Sequence, residues 1–385
     1  MHHIVFVGLS GIAKRTRACD VRLAFMANML AESYDITLLS RYACKQKLVD
    51  TNVALDERIV QEDIIRSRNT GGIMSSLLFG FSIFIELFAL LSMNRKKKIN
   101  ALYVYSGHYI DFLLYWLVSR LVGAKVVYDY VEYKSILETN SLYAKINNKL
   151  VDYRGAKLWD GVLPISEFLK GKALEINPNL VCQKVTPLCD FGLFETINTG
   201  NAPDERYILY CGNIGYQDVA EMIANAFGNS ELKDDCKIVM VLSGNKDIIK
   251  AFSNKYPQIC VVTSLPYNDL ITYYKKAEAL LIPLRNNIRD IARFPNKICE
   301  YLAARGIIIT TNVGEISMYF KDGENAIVAD GYSEAELIDK FNKLATGGYD
   351  LNSIHRNAYA LGLKNFDSNS YQQPMVAFFE KLLDY

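Results

Sequence analysis

The feature of this sequence that most limits its fold is an alternation of short apolar runs with longer amphipathic stretches, found in both halves of the chain. Such alternation is the mark of βα units built around a parallel sheet. In the first half the spacing predicts strands over Ile4–Gly8, Asp35–Leu39, Ala101–Tyr105, Lys125–Asp129, Gly161–Pro164 and Lys184–Pro187. Helices are expected between them, for example over Ala18–Ala31, His108–Leu121 and Glu167–Glu175. From Asp190 to Glu205 the periodicity gives way to turn-rich sequence that reads as a linker. Alternation then resumes, with strands expected over Tyr207–Cys211, Lys237–Leu242, Ile259–Val262, Ala279–Ile282, Ile307–Thr310 and Ala326–Ala329. The fold class is therefore α/β, with two doubly wound, Rossmann-like halves. Ligands of such sheets bind beyond the carboxyl ends of the strands, so the default site is the cleft between the halves.

Charge and composition narrow the function. Lys and Arg (43) nearly balance Asp and Glu (42), leaving a net charge of +1, so no global field draws nucleic acid, and none is expected as a partner. The eight cysteines fall in apolar segments without a C-x-x-C pair, which predicts reduced core thiols and no zinc site. Of four histidines, His2 and His3 sit at the N-terminus and His355 lies in a polar helical pattern, leaving His108 as the one candidate for the site. The strand-like run from Ile4 follows Met-His-His directly, without a basic n-region, so no signal peptide is expected.

Ile73–Met93 contains only one charge, Glu86, and is followed by Arg95-Lys96-Lys97-Lys98. It is long enough to span a bilayer. It also falls where the alternation needs a helix between two strands, and a span would divide one sheet across a membrane. Two readings stay open: a buried helix, or one whose apolar face meets an anionic membrane beside the Lys96 cluster.

The densest chemical signal follows the strand Ala279–Ile282. Arg285, Arg289 and Arg293 lead into Phe294-Pro295-Asn296-Lys297 and a helix carrying Glu300. Pro295 suits the first helical turn, and the amides of Asn296 and Lys297 then favour a phosphate. Arg289, Arg293 and Lys297 are candidates to neutralise a diphosphate, and Glu300 to accept hydrogen bonds from two ribose hydroxyls. Gly212-Asn213-Ile214-Gly215 is a second phosphate-friendly turn at a strand end.

Phe294-Pro-Asn-Lys-Ile-Cys-Glu300-Tyr-Leu-Ala303, the strand Ile307–Thr310, the turn Gly314-Glu315 and Asp322–Ala326 together resemble glycosyltransferase family 4. Gly161–Ser166 resembles that family's strand ending in serine, and Cys189-Asp190-Phe191 its interdomain segment. The resemblance implies the GT-B fold: an acceptor-binding domain over 1–190, a nucleotide-sugar-binding domain over 205–365, and a terminal helix over 366–385 that crosses back to the first domain. It also implies net retention of anomeric configuration. On the family pattern Glu300 binds the donor ribose, Gly314 and Glu315 line the donor sugar and phosphates, and the turn Gly8–Gly11 faces the donor, with Gly11 as a donor contact. Gly212, Asn213, Arg293, Asn296 and Lys297 complete the expected donor set.

Two departures stand out. The family's first glutamate falls at position 292, which here is Ala292, with Asp290 the nearest carboxylate. The arginine expected after the glycine of the second domain is Asn213. On the acceptor side many relatives place a histidine where this chain has Val131 and Glu132; Asp129, Glu132 and His108 are the acceptor-side candidates, with Asp129 or Glu132 as general base. Arg289 and Lys297 are expected to stabilise the departing diphosphate, with no cofactor and no obligatory metal.

The expected activity moves a hexosyl or N-acetylhexosaminyl group from a nucleotide-diphosphate sugar to a glycan or lipid-linked acceptor, in surface polysaccharide or glycolipid synthesis. The expected location is the cytoplasm, free or at the inner face of the plasma membrane. A nucleotide-sugar epimerase on the same scaffold and a non-catalytic nucleotide-sugar-binding relative are the alternatives.

Overall fold

A computed structural model describes residues 1–9, 18–42, 53–65, 73–197, 200–263 and 265–384. The chain divides into two compact units, one formed by residues 1–186 with 368–385 and the other by 187–367.

The first unit is built on a parallel sheet of seven strands: β1 (His3–Leu9), β2 (Asp35–Tyr42), β3 (Val60–Ile65), β4 (Ala101–Val104), β5 (Lys125–Tyr130), β6 (Gly161–Pro164) and β7 (Val181–Cys182). Their order is β3-β2-β1-β4-β5-β6-β7. Right-handed crossovers place the helices Ile73–Lys96, Tyr109–Val122 and Leu142–Arg154 on one face and Ala18–Leu30 on the other. On that second face Ala18–Leu30 packs with the last helix, Gln372–Asp384. The central strands are buried on both faces and are largely apolar, as parallel strands usually are, with Asp129 of β5 a buried charged exception.

Two features of this unit differ from the sequence expectation. β3 is additional; it is an edge strand with Gln61, Glu62 and Asp63 exposed, so it lacks an apolar run to betray it. Lys184–Pro187 is not a strand: pairing ends at Cys182. The following segment runs beside β6, with Val185 N–H donating to the Pro164 carbonyl at 3.0 Å. The carbonyls of Val185 and Thr186 accept from the Arg22 guanidinium in place of a further strand.

Glu86 decides how the helix Ile73–Lys96 sits. Its carboxylate is fully buried, bonded to Arg41 at 2.5 Å and to the Tyr115 hydroxyl at 2.9 Å, while Arg41 also reaches Asp111 at 2.9 Å. Burial pushes the Glu86 carboxyl up, and Arg41 pulls it back. Among the described residues no helix is long and apolar enough to cross a membrane.

The second unit is built on six parallel strands: β8 (Tyr207–Asn213), β9 (Lys237–Ser243), β10 (Cys260–Val262), β11 (Ala279–Leu281), β12 (Ile308–Thr311) and β13 (Ile327–Ala329). The order β10-β9-β8-β11-β12-β13 reverses direction between β8 and β11, which is the switch point where such sheets bind ligands. The expected linker after Asp190 contains a short helix, Phe191–Thr196. Asp190 caps it by accepting from Leu193 N–H at 3.0 Å, and Phe191 and Phe194 bury one side. Six residues are too few to show a helical period in sequence. Cys260 is exposed rather than a core thiol, because it opens the edge strand β10.

Candidate functional site

Three strand exits converge at the switch point of the second unit. β8 ends at Gly212 and Asn213. A side chain at Gly212 would lie 2.4 to 2.8 Å from the Tyr210 ring, so only glycine fits there. The Asn213 carboxamide accepts from Gly215 N–H at 2.8 Å and caps the turn that carries Tyr216. This makes Asn213 a turn former.

β11 leads into the arginine loop. Asn287 caps the helix Ile288–Ala292 by accepting from Asp290 N–H at 2.9 Å. Arg285, Arg289 and Arg293 all gather on one ring: their guanidinium carbons lie 5.2, 5.1 and 4.9 Å from the centre of Tyr216. The Tyr216 hydroxyl also accepts from Arg289 at 3.0 Å and from Arg293 at 2.6 Å. Cations over an electron-rich face are each stabilised by up to about 2 kcal/mol where water is excluded.

Three guanidiniums crowded this closely need a counter-charge, and buried Asp290 supplies it, taking Arg293 at 2.6 Å and Arg285 at 2.8 Å. Burial alone would raise the Asp290 carboxyl; the two arginines outweigh it and hold the group below its usual range. Asp290 is thereby committed to the arginines, and Ala292 is buried, so neither offers a free carboxylate in place of the family's first glutamate. Arg289 forms no salt bridge with any described residue. The Arg293 Nε–H is buried without a partner among the described residues.

The helix Lys297–Ala303 follows, with Asn296 at its cap and Ile298 N–H bonded back to the Pro295 carbonyl at 3.2 Å. Lys297 and Glu300 lie half-buried on it, close to Cys211 of β8. Neither side chain makes a hydrogen bond or salt bridge with a described residue. Burial raises the Glu300 carboxyl, opposed by Lys297. Burial would lower the Lys297 ammonium, but Cys211 and Glu300 nearby leave it raised. A half-buried acid and base held by no hydrogen bond or salt bridge are expensive to keep, and functional sites are where such groups are retained.

β12 delivers the third exit. Gly314 has φ +57°, and a Cβ there would stand 3.0 Å from Ile291 Cα, so the Gly314-Glu315 turn packs directly on the arginine-bearing helix. Only glycine meets both conditions at this position. Glu315 is buried at the start of the following turn.

On the first unit, β4 and β5 exit around a cavity of about 110 Å³ lined by Ser106, Gly107, Asp129, Glu132 and Lys134. Gly8 has φ +78° and lies so near Ser106 that a side chain would clash at 2.9 Å. Gly11 lies outside the described residues. Asp129 is fully engaged: Arg22 grips both carboxylate oxygens at 2.9 to 3.1 Å. Its first duty is therefore architectural. Glu132 is half-exposed with Lys134 3.6 Å away. His108 caps the helix Tyr109–Val122 through its backbone, and its amide donates to the Ser106 hydroxyl.

Sequence reading missed Tyr216 and the counter-ion role of Asp290, and it gave Arg285 no role of its own. The signal was present in the four-residue spacing of the three arginines, which marks one side of a helical path. Among the described residues no three His, Cys, Asp or Glu side chains are grouped as metal ligands would be.

Residues 195–361 match the family model for glycosyl transferases group 1, a span that contains the whole arginine loop, Glu300 and Gly314. Over that span the chain resembles the group 1 glycosyltransferases. Its fold is GT-B. A sucrose-phosphate synthase from Thermosynechococcus elongatus superposes with a TM-score of 0.74 at 11% identity, covering 100% of both chains. Anabaena HepE in complex with UDP and glucose gives 0.69 at 12% identity, covering 99% of this chain and 100% of HepE. The lipopolysaccharide outer core galactosyltransferase WaaB gives 0.66 at 10% identity, covering 98% and 99%. No curated protein sequence matches significantly.

Proposed function

We propose that this chain is a glycosyltransferase that moves a hexosyl or N-acetylhexosaminyl group, with retention, from a nucleotide-diphosphate sugar to a glycan or lipid-linked saccharide. The observation that carries this reading is the pair Lys297 and Glu300, half-buried and unbonded within the protein at the switch point. Glu300 accepts hydrogen bonds from the two ribose hydroxyls. Lys297 and Arg289, the cations without a carboxylate bonded to them, meet the diphosphate, with Arg293 behind them and the amides of Asn296 and Lys297 in front. Gly212 and Gly314 let backbone approach the donor, with Glu315 beside it. HepE in complex with UDP and glucose supports a nucleoside diphosphate as the leaving group.

As the glycosidic bond breaks, negative charge gathers on the departing diphosphate. Fixed cations aimed at that charge lower the barrier, by about 3 to 4 kcal/mol for each well-placed donor. This supply of positive charge removes the need for an obligatory metal. Glu132 is the proposed acceptor-side base, with His108 following the neighbouring strand β4, and Asp129 keeps the β5 exit in place. Synthesis of a surface polysaccharide or glycolipid at the cytoplasmic face of the plasma membrane suits such an acceptor.

A non-catalytic, nucleotide-sugar-binding relative is the second reading, favoured by Ala292 and by the commitment of Asp290 to the arginines. A thermal-shift series with UDP, GDP, ADP and their sugars tests donor binding, since a ligand at 100 times its Kd adds about 2.7 kcal/mol. A shift with one nucleotide that Glu300→Ala abolishes supports the donor site; a shift that Glu300→Ala leaves intact sinks the assignment. Release of the diphosphate with an acceptor present, and not without it, separates transfer from binding alone.

A further inference from the structure

We infer that the first unit carries a face built to lie on an anionic phospholipid surface, formed by the helices Ile73–Lys96, Tyr109–Val122 and Leu142–Arg154. The inference stands on that unit alone and does not require the proposed donor chemistry.

The helix Ile73–Lys96 is inside out. Ser82 and Glu86 face the domain and are fully buried, while Phe81, Phe84 and Phe88 are 68%, 63% and 68% exposed. The bonds from Glu86 to Arg41 and Tyr115 fix this orientation. Turning the phenylalanines inward would strand a buried carboxylate and guanidinium, which is far more costly than leaving three rings in water. The neighbouring helix repeats the pattern: Leu113, Leu117 and Leu121 form an exposed stripe at four-residue spacing over a side that buries Asp111 and Tyr115. On the third helix, Leu142 and Ile146 are exposed and Asp152 is buried. The three helices pack side by side. Their exposed apolar side chains make a surface far larger than the scattered residues of an ordinary soluble face.

Charge selects the occupant. The described acids on these helices, Glu86, Asp111 and Asp152, are all buried, while Arg95, Lys96, Arg120, Lys145, Lys149 and Arg154 are exposed. The chain as a whole is almost neutral, so this one-sided arrangement is local. A second copy of the same face would bring cation against cation. A bilayer that offers phosphate groups above an apolar layer meets both features, with the rings at the acyl boundary and the lysines among the headgroups.

The test is co-sedimentation of the full chain with vesicles of phosphatidylcholine alone or mixed with phosphatidylglycerol. Binding is expected only to the mixed vesicles and to weaken as salt rises. Lys96→Glu and Lys149→Glu should each lower the partition coefficient about fivefold or more. Phe84→Gln combined with Phe88→Gln should remove binding while leaving the circular dichroism spectrum and melting temperature unchanged. Equal binding to both vesicle types, wild-type binding by these variants, or a dimer in analytical ultracentrifugation that Phe88→Gln dissolves would each overturn the inference.

Discussion

Arg293 donates to Asp290 at 2.6 Å while its other amino group donates to the Tyr216 hydroxyl at the same distance, so one guanidinium ties the β8 exit to the β11 exit. The pair orders three cations that would otherwise repel one another. Asp290→Asn should therefore weaken nucleotide binding about tenfold although Asp290 touches no donor, because a neutral amide supplies no counter-charge. Isothermal titration with the nucleotide that gives a thermal shift checks this, and Tyr216→Phe should show a smaller loss through the missing hydroxyl.

Glu300 gives a pH signature. Its carboxyl is raised by burial, so in the unliganded protein it destabilises the fold once pH climbs above the usual carboxylate value, and this penalty is absent at lower pH. Glu300→Gln should raise the melting temperature near neutrality. Donor binding needs the ionised form, so wild-type affinity should fall on mild acidification, while the glutamine variant binds about tenfold or more weakly and shows a flatter profile.

Gly314→Ala should cost about 1 kcal/mol or more in stability, since alanine is strained at φ +57° and its methyl group meets the Ile291 backbone. Donor affinity should fall with it, because the arginine-bearing helix is pushed from its seat. Chemical denaturation and nucleotide titration of the same preparation measure both effects.

Asp129 and Glu132 should separate cleanly. Asp129→Ala leaves Arg22 buried without its partner and should cost about 3 to 5 kcal/mol. Glu132→Gln, on a half-exposed loop, should change stability by less than about 0.5 kcal/mol. If Glu132 is the base, turnover drops by about 10² to 10⁴. Wild-type turnover in this variant would remove Glu132 from the mechanism.

Chelation supplies a further check. With arginines and lysine carrying the positive charge, turnover should survive EDTA unchanged; a loss restored by magnesium would show that a metal shares the diphosphate.

The central strands could be read from sequence because burial on both faces leaves them apolar, and β6 was placed residue for residue. β3 escaped because an edge strand shows charge to water on both faces. At the site, Lys297, Glu300 and Gly314 stood out through their motif. Tyr216 did not, because a tyrosine after a glycine turn looks like any other of the 25 in the chain until three arginines converge on it. The duties of Asp129 and Asp290 were hidden for a common reason: each is set by an arginine, and the Arg22 that claims Asp129 is 107 residues away in sequence.

The helix Gln372–Asp384 completes the first unit from the far end of the chain, with Phe378 pressed so close to Gly161 that a side chain there would clash at 2.8 Å. Synthesis from the N-terminus thus delivers residues 187–367, a continuous unit, before the first unit has received its last helix. During translation the earlier-made sheet waits, with the surface under Phe379 and Leu382 uncovered until that helix arrives.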